Sequence, residues 1–100
     1  MTGVNEINRL IKKELEEANK VHPMFQSNHE AYAVILEEVE ETQDAMDSAK
    51  VHLEQFWSDV RNDCNGKEEI AILRGYMIEV AREAIQVAAM CTKAIDSMTV

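Results

Sequence analysis

The scarcity of helix-breaking residues constrains the fold of this chain more than any other feature of its sequence. The 100 residues include one proline, Pro23, and three glycines, Gly3, Gly66 and Gly75. Proline disfavours a continuing helix, residues 62–66 (NDCNG) form a turn-forming cluster, and Gly75 only weakens a helix locally. A β-sandwich or barrel of this length would need many more turn residues. The two breaks therefore divide the chain into three helical segments.

The predicted helices run roughly from Val4 to Lys20, from about Asn28 or His29 to Arg61, and from about Lys67 to Met98. Each of the two long helices would span about 50 Å if straight. Long helices joined by a short turn form an antiparallel hairpin, and a hairpin alone cannot enclose a core. We therefore predict an all-α fold, a single helical domain over residues 1–100, in which a long antiparallel hairpin and an N-terminal helix assemble into a four-helix bundle through oligomerisation.

The third predicted helix is apolar on more than one side. Ile78, Ile85 and Ala89 lie on a different side from its main apolar stripe, and a helix that is apolar nearly all round is usually buried nearly all round. A second chain could cover the additional side, which favours a homodimer or tetramer, or the first helix of the same chain could cover it. The main apolar stripe consists of Ile70, Leu73, Met77, Val80, Ala81, Ala84, Val87, Ala88, Cys91, Ala94, Ile95 and Met98.

The net charge of −9 narrows the range of partners. Nucleic-acid binding depends on Lys and Arg that neutralise phosphates, so we expect no direct nucleic-acid partner unless a divalent cation intervenes. No apolar run approaches the roughly 20 residues of a membrane span, so we expect no membrane partner. Cys64 and Cys91 give no disulfide framework, and the N-terminus has no signal-peptide pattern. A cytoplasmic location fits these features.

Carboxylates interrupt the apolar stripe of the second helix. At about 100° per residue, Glu38 falls inside the stripe and Glu41 on its edge, whereas Glu37 lies further round and Glu40 points away. The stripe itself consists of Ala31, Val34, Ile35, Ala45, Met46, Ala49, Leu53, Phe56, Trp57 and Val60. Phe56 and Trp57 are accordingly predicted to be core residues.

The third helix presents a matching row along the border of its stripe, formed by Glu79, Glu83, Gln86 and Met90. An ionised carboxylate without a partner is very costly to bury, so the partner is a basic side chain, a proton or a metal ion. Oxygen ligands without His or Cys suit Mg²⁺ or Mn²⁺. The alternative interpretation is that the glutamates form an ordinary solvated face.

Residues 29–41 (HEAYAVILEEVEE) resemble the first metal-binding helix of the MazG-like all-α nucleoside triphosphate pyrophosphohydrolases. That helix carries two adjacent glutamates and a third one three residues later, a spacing that Glu37, Glu38 and Glu41 match. The second element of the family is a glutamate followed three residues later by an aspartate. Residues 83–90 (EAIQVAAM) resemble it, with Gln86 in place of the aspartate. The resemblance covers about Phe25 to Ile95, and the interval between the two motifs is longer than is typical of the family.

The resemblance implies a dimer or dimer of dimers that hydrolyses a nucleoside triphosphate to the monophosphate and pyrophosphate. It implies a Mg²⁺ or Mn²⁺ site in which Glu38, Glu41 and Glu83 are ligands and Gln86 holds a water or coordinates weakly. Glu37 would be a ligand or the general base, and Glu38 is the other candidate catalytic residue. Two alternatives stay open: a non-catalytic relative that binds a nucleotide or protein, and a purely structural helical adaptor.

Overall fold

The computed structural model describes residues 3–98, and these form an all-α structure with no strand. The predicted all-α class is confirmed. The helices are α1 (Val4–Asn19), α2 (Asn28–Arg61) and α3 (Lys67–Ser97). α1 and α3 each end one residue earlier than predicted, because Lys20 and Met98 are their C-caps. Residues 1–2 and 99–100 of the predicted domain lie outside the described residues.

The ends of α2 follow from local sequence. Ser27 is the N-cap, and its Oγ accepts a hydrogen bond from the backbone N–H of Glu30 at 3.1 Å, which satisfies one of the unpaired donors at a helix start. After the C-cap Asn62, Asp63 adopts a left-handed conformation with φ of 52°. Gly66 then precedes α3. A Cβ atom added at Gly66 would overlap the ring of Phe56. The turn thus needs glycine at this position because the backbone passes directly against an aromatic ring.

The long helices α2 and α3 pack side by side as an antiparallel hairpin. Near the turn, His52 contacts Glu69. At the open end, the Phe25 backbone N–H donates to Ser97 Oγ at 3.0 Å. Glu83, Gln86 and Met90 of the row predicted on α3 therefore face α2. The α3 residues that meet α2 or the segment before it include a series at every seventh position: Glu69, Tyr76, Glu83, Met90 and Ser97.

The first helix packs against α3 and, within residues 3–98, its backbone does not closely approach that of α2. A cavity of about 480 Å³ separates the two helices, lined on the α3 side by Ala81, Ala84, Ile85 and Ala88. α1 thus covers an apolar side of α3 within a single chain, which is one of the two arrangements that the sequence allowed. The cover is loose, because no residue of α1 is fully buried.

The buried apolar core of the single chain is small. It consists of Phe25, Ala31, Ala45, Ala49, Ala89 and Ala94. Part of the predicted α3 stripe does not enter it: Ile95 is 70% exposed and Met77 is 41% exposed. The prediction of Trp57 as a core residue is wrong for the single chain, in which it is 58% exposed, whereas Phe56 is half-buried at the turn. The reason is that, in the register that pairs His52 with Glu69, Trp57 lies level with Cys64 in the turn, before α3 begins, so α3 does not cover it.

Candidate metal centre

Three carboxylates meet at the middle of the hairpin. Glu38 and Glu41 extend from α2 and Glu83 extends from α3, and one carboxylate oxygen of each lies within 4.8 Å of the others. Glu38 and Glu41 are three residues apart, which places them on the same side of a helix. The antiparallel packing brings Glu83 opposite that side. We call these three residues the acidic cluster.

Burial differs among the three carboxylates. Glu83 is only 6% exposed, Glu38 is half-buried and Glu41 is exposed. Burial, a hydrogen bond to Glu79 and the charges of Glu41 and Glu38 raise the pKa of Glu83 to about 7, against the opposing effect of Arg82. Burial and the charge of Glu41 also raise the pKa of Glu38. Such shifts are expected where carboxylates converge without a full complement of positive charge.

Arg82 supplies the one guanidinium that contacts the cluster. Its Nη2 donates to Glu83 Oε1 at 3.0 Å and also to Glu79 Oε1, and its Nε donates to Glu79 Oε2 at 3.3 Å. The hydrogen bond from Arg82 lowers the pKa of Glu79. Because Arg82 is largely exposed and is shared between two carboxylates, it neutralises the cluster only in part.

Gln86 bridges the two helices inside the cluster. With its amide nitrogen facing the carboxylates, Nε2 donates to Glu38 Oε2 at 2.9 Å and to Glu83 Oε2 at 3.0 Å. The opposite amide orientation would set its oxygen against the same two acceptors. Both oxygens of Glu83 are thus engaged, one by Arg82 and one by Gln86. A cation that binds here would replace these donors, and rotation of the amide would then offer it the Gln86 oxygen.

The structure brings together four of the five residues predicted for the site: Glu38, Glu41, Glu83 and Gln86. Glu37 is exposed and is not one of the three clustered carboxylates, although its charge contributes to the raised pKa of Glu38. The donor set of carboxylate and amide oxygens fits a hard divalent cation such as Mg²⁺ or Mn²⁺. These few protein ligands would leave coordination positions for water and phosphate oxygens.

Sequence reasoning missed the second polar contact of the hairpin. His52 Nδ1 lies 2.7 Å from Glu69 Oε2, and the His52 ring stacks on Tyr76 with centroids 5.5 Å apart. The antiparallel register contains the signal that could have found this pair. If Glu38 meets Glu83, then moving fourteen residues along each helix toward the turn, which is four helical turns, brings His52 to Glu69.

Comparison of the chain with protein-family models, with curated proteins and with solved structures finds no significant match. The resemblance to the MazG-like family therefore rests on the two motifs alone. In the part of the chain that is described, no helix is long and apolar enough to cross a membrane.

Proposed function

We propose that this chain is a metal-dependent nucleoside triphosphate pyrophosphohydrolase of the MazG-like kind, with Mg²⁺ or Mn²⁺ bound by Glu38, Glu41 and Glu83. The observation that carries the proposal is the convergence of these carboxylates from two helices to within 4.8 Å, with Glu83 almost fully buried. Solvated glutamates repel one another and turn outward. These three instead face each other, and the raised pKa values of Glu38 and Glu83 support a site where a cation would be strongly favoured.

In the proposed reaction a water molecule attacks the α-phosphorus, the bond from that phosphorus to the bridging oxygen breaks, and pyrophosphate leaves with that oxygen. The metal would neutralise negative charge on the phosphates. Glu38 or Glu37 would accept the proton of the attacking water as general base. Arg82, displaced from Glu83, would keep its pairing with Glu79. The charge of −9 is compatible with this substrate, since the cation accompanies the triphosphate.

One observation favours a second candidate, a relative that binds a nucleotide without hydrolysing it. Gln86 stands where the family has an aspartate, and its amide donates to Glu38 and Glu83, so it stabilises the cluster in the absence of a cation. A neutral amide also contributes no charge to a metal site. The variant Gln86→Asp separates the candidates: hydrolysis that appears only in this variant would identify the natural chain as the non-catalytic binder.

We also propose that the hairpins of two chains pack into a four-helix bundle, as a dimer or a dimer of dimers. Support comes from the small core and from large apolar side chains that a single chain leaves exposed, including Tyr32, Leu53, Trp57, Ile78 and Ile95. Burying such side chains contributes about 1.5–3 kcal/mol each. Sedimentation velocity measures the assembly directly, and a monomer at micromolar concentration would contradict it.

The test of the enzymatic proposal is pyrophosphate release from a panel of ribo- and deoxyribonucleoside triphosphates, with Mg²⁺, with Mn²⁺ and with EDTA. Glu38→Gln removes a charge from the cluster. Glu40→Gln is the matched control, because Glu40 is exposed on the same helix and lies outside the cluster. We expect metal-dependent release that Glu38→Gln abolishes and Glu40→Gln preserves. Absence of release with every triphosphate, together with metal binding, would support the non-catalytic binder; absence of both would exclude a metal-dependent function.

A further inference from the structure

A second cavity lies between the open end of the hairpin and the segment that joins α1 to α2. It measures about 570 Å³, within the range of small-molecule sites. Its apolar walls are Ala18, Met24, Phe25, Val34 and Met90. It begins about one helical turn beyond the acidic cluster, because Val34 precedes Glu38, and Met90 follows Gln86, by four residues.

Lys93 is the unusual member of the cavity wall. It is 5% exposed, which is rare for lysine, and no carboxylate of residues 3–98 forms an ion pair with it. Its ammonium lies 4.8 Å from the centroid of the Phe25 ring. A ring face partly compensates a buried cation but does not replace a hydrogen-bonding anion. In a chain with a net charge of −9, a buried lysine that pairs with no carboxylate of the described residues points to a partner from outside them.

Three other polar side chains line the same cavity: His22, Gln26 and Glu30. Glu30 adds a negative charge near the α2 N-terminus, so the cavity as a whole disfavours a ligand with several negative charges. His22 and Gln26 can donate hydrogen bonds to a single anionic group. This charge pattern differs from that of the acidic cluster and does not suit a triphosphate.

We propose that this cavity binds a small amphiphilic monoanion, with its carboxylate paired to Lys93 and its apolar body packed against Met24, Val34 and Met90. The binding requires no metal and is separate from the proposed hydrolysis. The ligand covers apolar side chains at the open end of the hairpin and supplies the negative charge that Lys93 lacks. Both contributions are needed, so neither an uncharged chain of the same length nor a cation replaces it.

The test uses octanoate as the probe, with 1-octanol and octylammonium as analogues of equal chain length and different charge. Titrations of the full chain are followed by amide and methionine-methyl NMR shifts in the presence of EDTA, which removes any contribution from metal binding. We expect saturable shifts at Met24, Val34 and Met90 and affinity for octanoate at least about tenfold above that for 1-octanol. Equal affinity for the three probes, or shifts spread over the exposed apolar residues, would overturn the proposal.

Amino-acid substitutions test whether the anionic group of the ligand binds at Lys93. Lys93→Met keeps the apolar stem and removes the charge, and we expect it to lose the preference for octanoate over 1-octanol. Lys50→Met is the matched control at an exposed lysine of α2 and should keep the preference. If Lys93→Met does not fold, Ala18→Phe tests the same site by filling the cavity while Lys93 stays in place, and it should abolish the shifts at Met90. Unchanged octanoate binding in Lys93→Met or in Ala18→Phe would contradict the assignment.

Discussion

The hairpin has two polar contacts between α2 and α3, and they are built in opposite ways. Near the turn, Glu69 meets a histidine, and the His52 ring also stacks on Tyr76. At the middle, Glu83 meets two further carboxylates, and only Arg82 and the amide of Gln86 offset them. The first contact combines an acid with a base and is complete within the chain. The second gathers like charges, which the proposed cation would neutralise.

This difference gives a criterion for separating a structural polar contact from a candidate binding site. Each contact places a glutamate in a helix interface, where the Glu69 side chain is 25% exposed and the Glu83 side chain is 7% exposed. Their neighbours also distinguish them: burial and nearby acids raise the pKa of Glu83 to about 7. Like charges held together at a cost to stability are typical of binding sites.

The largest expected difference between the contacts is in cation affinity. Glu83→Gln should weaken Mn²⁺ binding by more than about a hundredfold, because loss of a direct ligand exceeds the 10- to 100-fold effect of losing an outer partner. Glu69→Gln removes the same charge from the other contact and should leave Mn²⁺ affinity unchanged. Isothermal titration calorimetry measures both. Equal losses in the two variants would mean that the chain attracts the cation through its overall charge.

The next largest effect is stabilisation by the cation. At a concentration a hundred times its dissociation constant, Mg²⁺ or Mn²⁺ should raise the free energy of unfolding by about 2.7 kcal/mol, and EDTA should reverse this. For a chain of this size the melting temperature would rise on the order of 10 °C. His52→Gln should show the same increase as the natural chain, while Glu38→Gln should show none. A melting temperature that does not change when the cation is added would contradict the metal site.

A smaller change in the free energy of unfolding is expected when the pH is varied in the absence of metal. The pKa of Glu83 is about 7 in the folded chain and 4.5 in the unfolded chain, so between these values the folded state binds more protons than the unfolded state. The free energy of unfolding should therefore fall by on the order of 2 kcal/mol as pH rises from about 4.5 to about 7, and then level off. Urea titrations of the natural chain and Glu83→Gln isolate this contribution. A variant with the same pH profile as the natural chain would refute it.

The smallest effect concerns the contact near the turn. A double-mutant cycle with His52→Gln and Glu69→Gln should give a coupling energy of about 1 kcal/mol or less, since both side chains are partly exposed. Chemical denaturation with EDTA present measures it. A coupling energy of several kcal/mol would show that this contact, too, stores substantial electrostatic free energy, and the contrast with the acidic cluster would disappear.

Helix boundaries could be predicted from the sequence because their causes are local. Pro23 and residues 62–66 interrupt the chain wherever it folds, and predicted and observed ends differ by at most one residue at the described termini. The position of Glu38 within the apolar stripe also follows from helical periodicity alone. These predictions need no knowledge of what the helices pack against.

The orientation of α3 could not be predicted in the same way. Its apolar residues suggested that the side containing Met77 and Ala84 would be buried, whereas the side containing Glu83 and Met90 faces α2 and Ala84 faces α1. A helix with two apolar sides has two possible orientations, and tertiary contacts select between them. The burial of Lys93 could not be predicted either, because it depends on Phe25, a residue far away in sequence.

The single turn between α2 and α3 also dictates an order of assembly. The contact of His52 with Glu69 joins residues 17 apart, whereas that of Phe25 with Ser97 joins residues 72 apart. Closing a long loop costs more chain entropy than closing a short one, but each contact in a nested series shortens the loop left for the next. The hairpin should therefore zip from the turn outward and fray from the open end inward. Backbone amides near Ser97 would then exchange with solvent first, and the cluster around Glu83 would persist until half the hairpin has opened.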